Sequence, residues 1–159
     1  MNIFKKRFYQ SQEAVYLTAQ WFQKQGIKDI IIPKFTVAKD HKDWKNHTDN
    51  GDLIVQGKRI EVKGLNKPIY NFTKTKPYPR KTWIVCAKHS FDRAEPTPYI
   101  YIIWNKQRTH FGYIKTETKK DWKTFTMRDP DYKNESGEIM PQVMYIYDTS
   151  KVKIIIKTL

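Results

Sequence analysis

Residues 50–64 read NGDLIVQGKRIEVKG, and the way this stretch folds sets the rest. Two apolar runs, 52–55 and 58–63, flank a Gln56-Gly57 pair, the pattern of a β-hairpin with a short turn. Side chains alternate faces along a strand. Ile60 and Val62 therefore point to the core, while Glu61 and Lys63 share the other face. Pairing of the two runs brings Asp52, at the mouth of the first, beside Glu61, so that two carboxylates converge next to one ammonium.

Upstream, residues 11–25 (SQEAVYLTAQWFQKQ) place Ala14, Val15, Leu17, Ala19, Trp21 and Phe22 on one helical stripe. Ser11 is positioned to cap this helix and Gly26 to stop it. IKDIIIPKF follows as a short strand ended by Pro33, and residues 38–50 have the composition of a polar loop anchored by Trp44. Downstream, residues 64–81 (GLNKPIYNFTKTKPYPRK) hold three prolines and five Lys or Arg. Neither a long helix nor a central strand tolerates that mixture, so an irregular basic loop is expected. TWIVCAKH and PYIYIIWN read as buried strands, THFGYIK pairs with the latter through NKQR, and QVMYIYD and KVKIIIK supply two more β segments. TETKKDWKTF reads as a short helix capped by Thr116. With no internal repeat, residues 1–159 are expected to form one α/β (α+β) domain, a central mixed β-sheet flanked by helices.

Lys and Arg number 30 against 16 Asp and Glu, a formal charge of +14. Such an excess repels itself unless a polyanion offsets it, and nucleic acid is the natural partner. The aromatic share of 14% separates the chain from a disordered basic tail. Cys86, the only cysteine, lies in the apolar run WIVCA and reads as a buried thiol in a reducing compartment. No secretory leader or membrane-length apolar run is visible, which points to a soluble protein of the cytoplasm or another intracellular setting, with no membrane partner.

Two acids held side by side repel, and a divalent cation removes the conflict. Mg²⁺ takes hard oxygen ligands and keeps several waters, so Asp52, Glu61 and the Val62 carbonyl suffice as protein donors, with Mn²⁺ able to substitute. Such an ion polarises a phosphoryl oxygen and acidifies a bound water, while Lys63 orients that water and offsets charge in the transition state. The chemistry expected is phosphodiester hydrolysis.

An Asp after a Gly, a short spacer, then Glu-x-Lys on consecutive strands resembles the PD-(D/E)XK nuclease superfamily, with its restriction-endonuclease-like fold. The Gly51-Asp52 form is similar to that of archaeal Holliday junction resolvases and of several restriction and phage nucleases. The resemblance covers roughly the first 90 residues of the chain. It implies a Mg²⁺-dependent deoxyribonuclease, a structure-selective, restriction or phage type of enzyme, and a further acidic ligand from the first helix, here Glu13. The family core runs α-β-β-β-α-β. Here the Pro-rich segment replaces the second helix, or that helix comes later, around residues 117–125. A junction-resolving enzyme needs two active sites, hence a homodimer, for which VMYIYD or YIYIIW offers an apolar face.

For DNA contact the strongest stretch is KTKPYPRK, with Lys74, Lys76, Arg80 and Lys81 to neutralise phosphates and Tyr78 to stack on an unpaired base. Lys58 and Arg59 sit beside the hairpin turn, and Lys5, Lys6 and Arg7 precede the helix. His41, His47, His89 and His110 lack zinc-site spacing, and without a Gly-rich phosphate loop no nucleotide cofactor is expected. A non-catalytic nucleic-acid-binding protein on the same fold is the alternative, and an RNA-directed protein a third reading.

Overall fold

Helix α1 (Ile3–Lys24) begins two turns earlier than Ser11. The residues before Ser11 contain neither Pro nor Gly and are rich in Lys, Arg and Gln, so nothing in them stops the helix from extending. The computed structural model describes residues 3–33 and 52–157. The helix buries Ala14, Val15 and Thr18, and the Thr18 hydroxyl accepts from Trp104 Nε1 at 2.8 Å, tying it to the sheet.

The hairpin forms as expected. Strands β2 (Leu53–Val55) and β3 (Lys58–Gly64) pair antiparallel with Leu53 opposite Ile60 and Val55 opposite Lys58. Between them Gln56 and Gly57 have φ of 50° and 75°, the double left-handed conformation of the hairpin turn whose twist matches the strands. Strand β1 (Ile30–Ile31) pairs with β2 on the outer side. On the inner side, β3 runs parallel to β5 (Ile100–Trp104), Ile60 opposite Ile100 and Val62 opposite Ile102. β6 (His110–Lys115) returns antiparallel to β5, as the NKQR turn implies, and β9 (Lys153–Ile156) closes a six-stranded mixed sheet in the order β1-β2-β3-β5-β6-β9.

The crossover from β3 to β5 holds the surprise. A parallel pair needs a long connection, usually helical. Here it contains β4 (Thr82–Ala87) and a helix, α2, of only six residues (Lys88–Arg93). β4 belongs to a second, three-stranded sheet, ordered β4-β8-β7, with β7 (Lys123–Lys133) and β8 (Ile139–Asp148) forming a long hairpin. The helix expected over residues 117–125 is a 3₁₀ turn at Thr116–Asp121 running straight into β7. Buried Trp122 ends that turn, and Thr124 and Thr126 favour the strand that follows.

Two buried clusters lie on opposite faces of the six-stranded sheet. Leu53, Val55, Ile60, Val62, Ile102, Trp104 and Phe111 pack with α1. Tyr101, Ile103 and Ile114, pointing the other way, meet Trp83, Val85, Cys86, Trp122, Tyr145 and Tyr147 of the second sheet and its connections. The architecture is thus mixed α and β, a helix on one face of the main sheet and a second sheet, not helices, on the other. Full burial of side chains as large as Trp83 and Trp104 contributes upward of roughly 2 kcal/mol each, so both faces are firmly committed. Within YIYIIW and VMYIYD, Tyr101 to Trp104, Met144, Tyr145 and Tyr147 are buried in the core, while Tyr99 and Val143 stay exposed. Among the described residues no helix is long and apolar enough to cross a membrane.

Candidate metal and phosphate site

The site follows from where the β2–β3 ladder stops. Leu53 pairs with Ile60, and the next hydrogen-bonded rung falls at Val62. The Val62 N–H donates to Asp52 Oδ2 at 2.8 Å. Asp52 directly precedes β2, which starts at Leu53. In an extended strand the N–H and C=O of one residue point to the same edge. The Val62 carbonyl therefore faces the same gap as the Asp52 side chain.

Asp52 stands across from Glu61, and both share a face with Arg59 and Lys63. This face looks toward the second sheet, with Tyr101 beside Glu61 and Cys86 above. Lys63 is only partly exposed. Burial pulls its pKa below the ordinary lysine value, opposed by the neighbouring Cys86, Glu61 and Asp52. Cys86 and Tyr101 hydrogen-bond to each other, and burial pushes both of their pKa values up, so the thiol and phenol stay neutral beside the charged groups.

Arg59 departs from its expected role. Its guanidinium is buried and Nε donates to Glu61 Oε1 at 2.6 Å, a charge-assisted pair within the cluster, not a phosphate contact at the surface. Strand alternation alone puts residues 59, 61 and 63 on one face. Among the described residues Asp52, Glu61, Arg59 and Lys63 thus bring two acids and two cations together.

Glu13 stands elsewhere. It lies on the helix that covers the Ile60 and Val62 face, its carboxylate largely exposed and 3.9 Å from Arg108 Nε. Arg108 is the residue that sequence reasoning missed. It is buried, with φ of 58°, and its Nη1 donates to the carbonyls of Leu65 (2.8 Å) and Asn105 (2.7 Å), its Nη2 to Asn66 Oδ1 (2.6 Å). The guanidinium lies so close over Gly64 that a Cβ there would collide with it. Arg108 clamps the exit of β3 directly after Lys63, and only its position in the NKQRTH turn could have hinted at this.

Among the described residues no three or more His, Cys, Asp or Glu side chains cluster as a metal site. The oxygen donors this stretch offers are the Asp52 and Glu61 carboxylates and the Val62 carbonyl. All are hard oxygens, a set that fits Mg²⁺, whose other positions go to water and phosphate.

Of the expected DNA contacts, Lys58, Lys74, Lys76, Arg80 and Lys81 are exposed, with Lys58 Nζ resting 4.1 Å from the Tyr99 ring centroid. Arg80 and Lys81 line one groove with Lys123 and Lys151, two lysines too far away in sequence to have been grouped with them. Tyr78 is not available for stacking on a base. It is buried, stacked on Trp83 with centroids 4.1 Å apart, because the prolines on either side turn its ring inward to the second cluster. Lys6 is exposed, whereas the side chains of Lys5 and Arg7, and His41, Trp44 and His47, fall outside the described residues. His89 is exposed, and His110 is buried with Nδ1 2.9 Å from Thr109 Oγ1. No family model matches the chain, and comparison with curated proteins and with solved structures finds no significant match.

Proposed function

We propose that this chain is a metal-dependent deoxyribonuclease hydrolysing phosphodiester bonds on a restriction-endonuclease-like core. The observation that carries the reading is that Asp52 and Glu61 both lie close to Lys63 at the start of β2, where the Asp52 carboxylate accepts from the Val62 N–H. The strand order supports the same reading: a helix, three antiparallel strands, then a crossover into a strand parallel to the third.

Asp52, Glu61 and the Val62 carbonyl would hold the ion, which when bound supplies charge neutralisation at the phosphoryl oxygens and a more acidic water. Asp52, fixed by the Val62 N–H, keeps its lone pairs oriented. Glu61 would share its carboxylate between Arg59 and the ion. Lys63, poised at a lowered pKa between two acids, orients the nucleophile and meets charge developing on the phosphate. Arg80, Lys81, Lys74 and Lys76 hold the DNA backbone.

A second reading rests on a specific contact. Arg59 and Lys63 balance the two acids so fully that the cluster would serve as a neutral structural element of a non-catalytic nucleic-acid-binding protein. Asp52→Ala separates the two. Wild type and variant are assayed on linear duplex, single-stranded, flap and four-way-junction DNA with Mg²⁺, Ca²⁺ or EDTA. The nuclease reading expects cleavage with Mg²⁺ only, a loss of at least about 100-fold in Asp52→Ala, and undiminished DNA binding by the variant. Ca²⁺ should support binding without turnover. Turnover in EDTA, or equal cutting by the variant, refutes it. Binding without cleavage of any substrate, unaffected by Asp52→Ala, selects the second reading. Matched RNA duplexes as competitors report on an RNA target, since A-form and B-form grooves differ in shape.

A further inference from the structure

Two surface grooves meet around the connection that carries the chain from β3 to β4. The first lies where β3 ends, lined by Gly64, Asn66, Lys67 and Tyr70 and by Lys6 and Gln10 of α1. Lys6 and Gln10 are four residues apart and so share one face of the helix. The second runs by the start of β4 and the end of β8, with Arg80, Lys81, Lys123 and Lys151 along its walls. Arg80 Nε donates to the Tyr70 hydroxyl at 3.3 Å, a bond between one groove's lining and the other's, so the two adjoin as a single track. The track starts at Gly64, the residue after Lys63.

Among the described residues this track is lined by six cations, Lys6, Lys67, Arg80, Lys81, Lys123 and Lys151, all exposed. Two acids, Asp121 and Asp148, line it too, which leaves a clear positive excess. Asp148 is already engaged. Its Oδ1 accepts from Ser150 N at 2.9 Å and from Ser150 Oγ at 2.8 Å, and these bonds, with Lys151 and Lys123 nearby, hold its carboxyl below the ordinary range. Glu13, one turn beyond Gln10 on α1, faces Arg108 Nε at 3.9 Å.

A groove of this sign suits phosphate. Grooves that hold single strands add aromatic rings on which successive bases stack. Here the lining rings are committed elsewhere: Tyr78 and Tyr147 are buried, and Tyr70, itself half-buried, stacks on Tyr78 with centroids 5.5 Å apart. What remains is charge and amide groups, the means by which proteins hold a duplex by its backbone. We propose that the sugar-phosphate backbone of duplex DNA lies along this track, from Lys6 and Lys67 at the end of β3, past Arg80, to Lys81, Lys123 and Lys151. The track rests on the nucleic-acid partner common to both readings above, not on cleavage.

Because none of the metal donors lines the track, binding is measured in EDTA, where no metal-dependent cutting occurs. Fluorescence anisotropy at several salt concentrations compares a short DNA duplex, its single strand and the matched RNA duplex. Lys6→Ala with Lys67→Ala, and separately Lys123→Ala with Lys151→Ala, should each lower the slope of log K against log salt by about 1.8, two contacts at about 0.9 each, and weaken duplex binding at least about tenfold. Lys24→Ala with Lys133→Ala is the control, since both residues are exposed and outside the track. Lys24 stands roughly 27 Å along α1 from Lys6. The control should keep the wild-type slope. An unchanged slope in either track pair overturns the proposal, as does an equal loss in the control or tighter binding of the single strand or of duplex RNA. Slopes that fall as expected in a protein that cuts nothing would uphold the track and refute the nuclease. Cleavage by a protein whose slope ignores these lysines would do the reverse.

Discussion

Lys63 is an ammonium packed beneath a thiol and flanked by two acids, and its pKa is set by burial against their attraction. In the unfolded chain it titrates at its ordinary value of 10.5, in the folded protein lower. Below the folded value both states hold the proton and the folded state carries the full cost of burying the charge. Between the two values the unfolded chain binds the proton that the folded one has released, so this residue makes stability rise with pH across that window. Lys63→Met lacks the effect. Its stability relative to wild type should therefore be most favourable near neutral pH and decline toward pH 10.5, as read by urea denaturation of both proteins at a series of pH values. A gap independent of pH would mean that Lys63 titrates as a solvated lysine. The neighbouring Arg59 teaches a related lesson. Its place beside Glu61 was written in the alternation of KRIEVK, but nearness in sequence to a turn suggested a surface role, whereas the folded protein buries it in a pair with Glu61.

At the scale of elements, the β2–β3 hairpin was legible because the turn chemistry and the two-residue period agree, and so was the placement of Asp52, Glu61 and Lys63 on one face. The destination of β4 was not. An apolar strand pattern records burial without saying which sheet provides it, and residues 88–93 are too short to announce a helix. β7 left only a weak signal: Phe125 and Met127 alternate with Thr124 and Thr126, but the strand is exposed along most of its length and carries Pro130. The exit of β3 depends on an interaction that joins distant residues. Gly64 leaves room for the Arg108 guanidinium, so Gly64→Ala should destabilise the protein by about 1–3 kcal/mol. In an Arg108→Ala background the same substitution should cost much less, because the obstructing group is gone. A double-mutant cycle by chemical denaturation measures the difference, and additive effects would show that the collision is relieved in some other way.

At the scale of the whole molecule the formal charge is +14, and under the nuclease reading such an excess favours a polyanionic partner. Each of Lys74, Lys76, Arg80 and Lys81 that meets a phosphate releases counterions, so its replacement by Ala should reduce the slope of log K against log salt by about 0.9 on duplex DNA. Tyr78→Phe should leave that slope unchanged, since the ring lies in the core. Titrations at several salt concentrations decide both points, and slopes unaltered in all four Ala variants would place the DNA on another surface. The two sheets also interleave along the chain. β4 leaves the first sheet's crossover to join the second, its partner β8 comes some fifty residues later, and β9 then returns to the first sheet. The first sheet is completed only by β9, after the last strand of the second, so both sheets depend on pairings between distant parts of the chain. Such long-range order makes folding slow. It also means that the face bearing Glu61 and Lys63 stays wet in a growing chain until β8 has been made, and the cluster acquires its buried character only as the last strands lock into place.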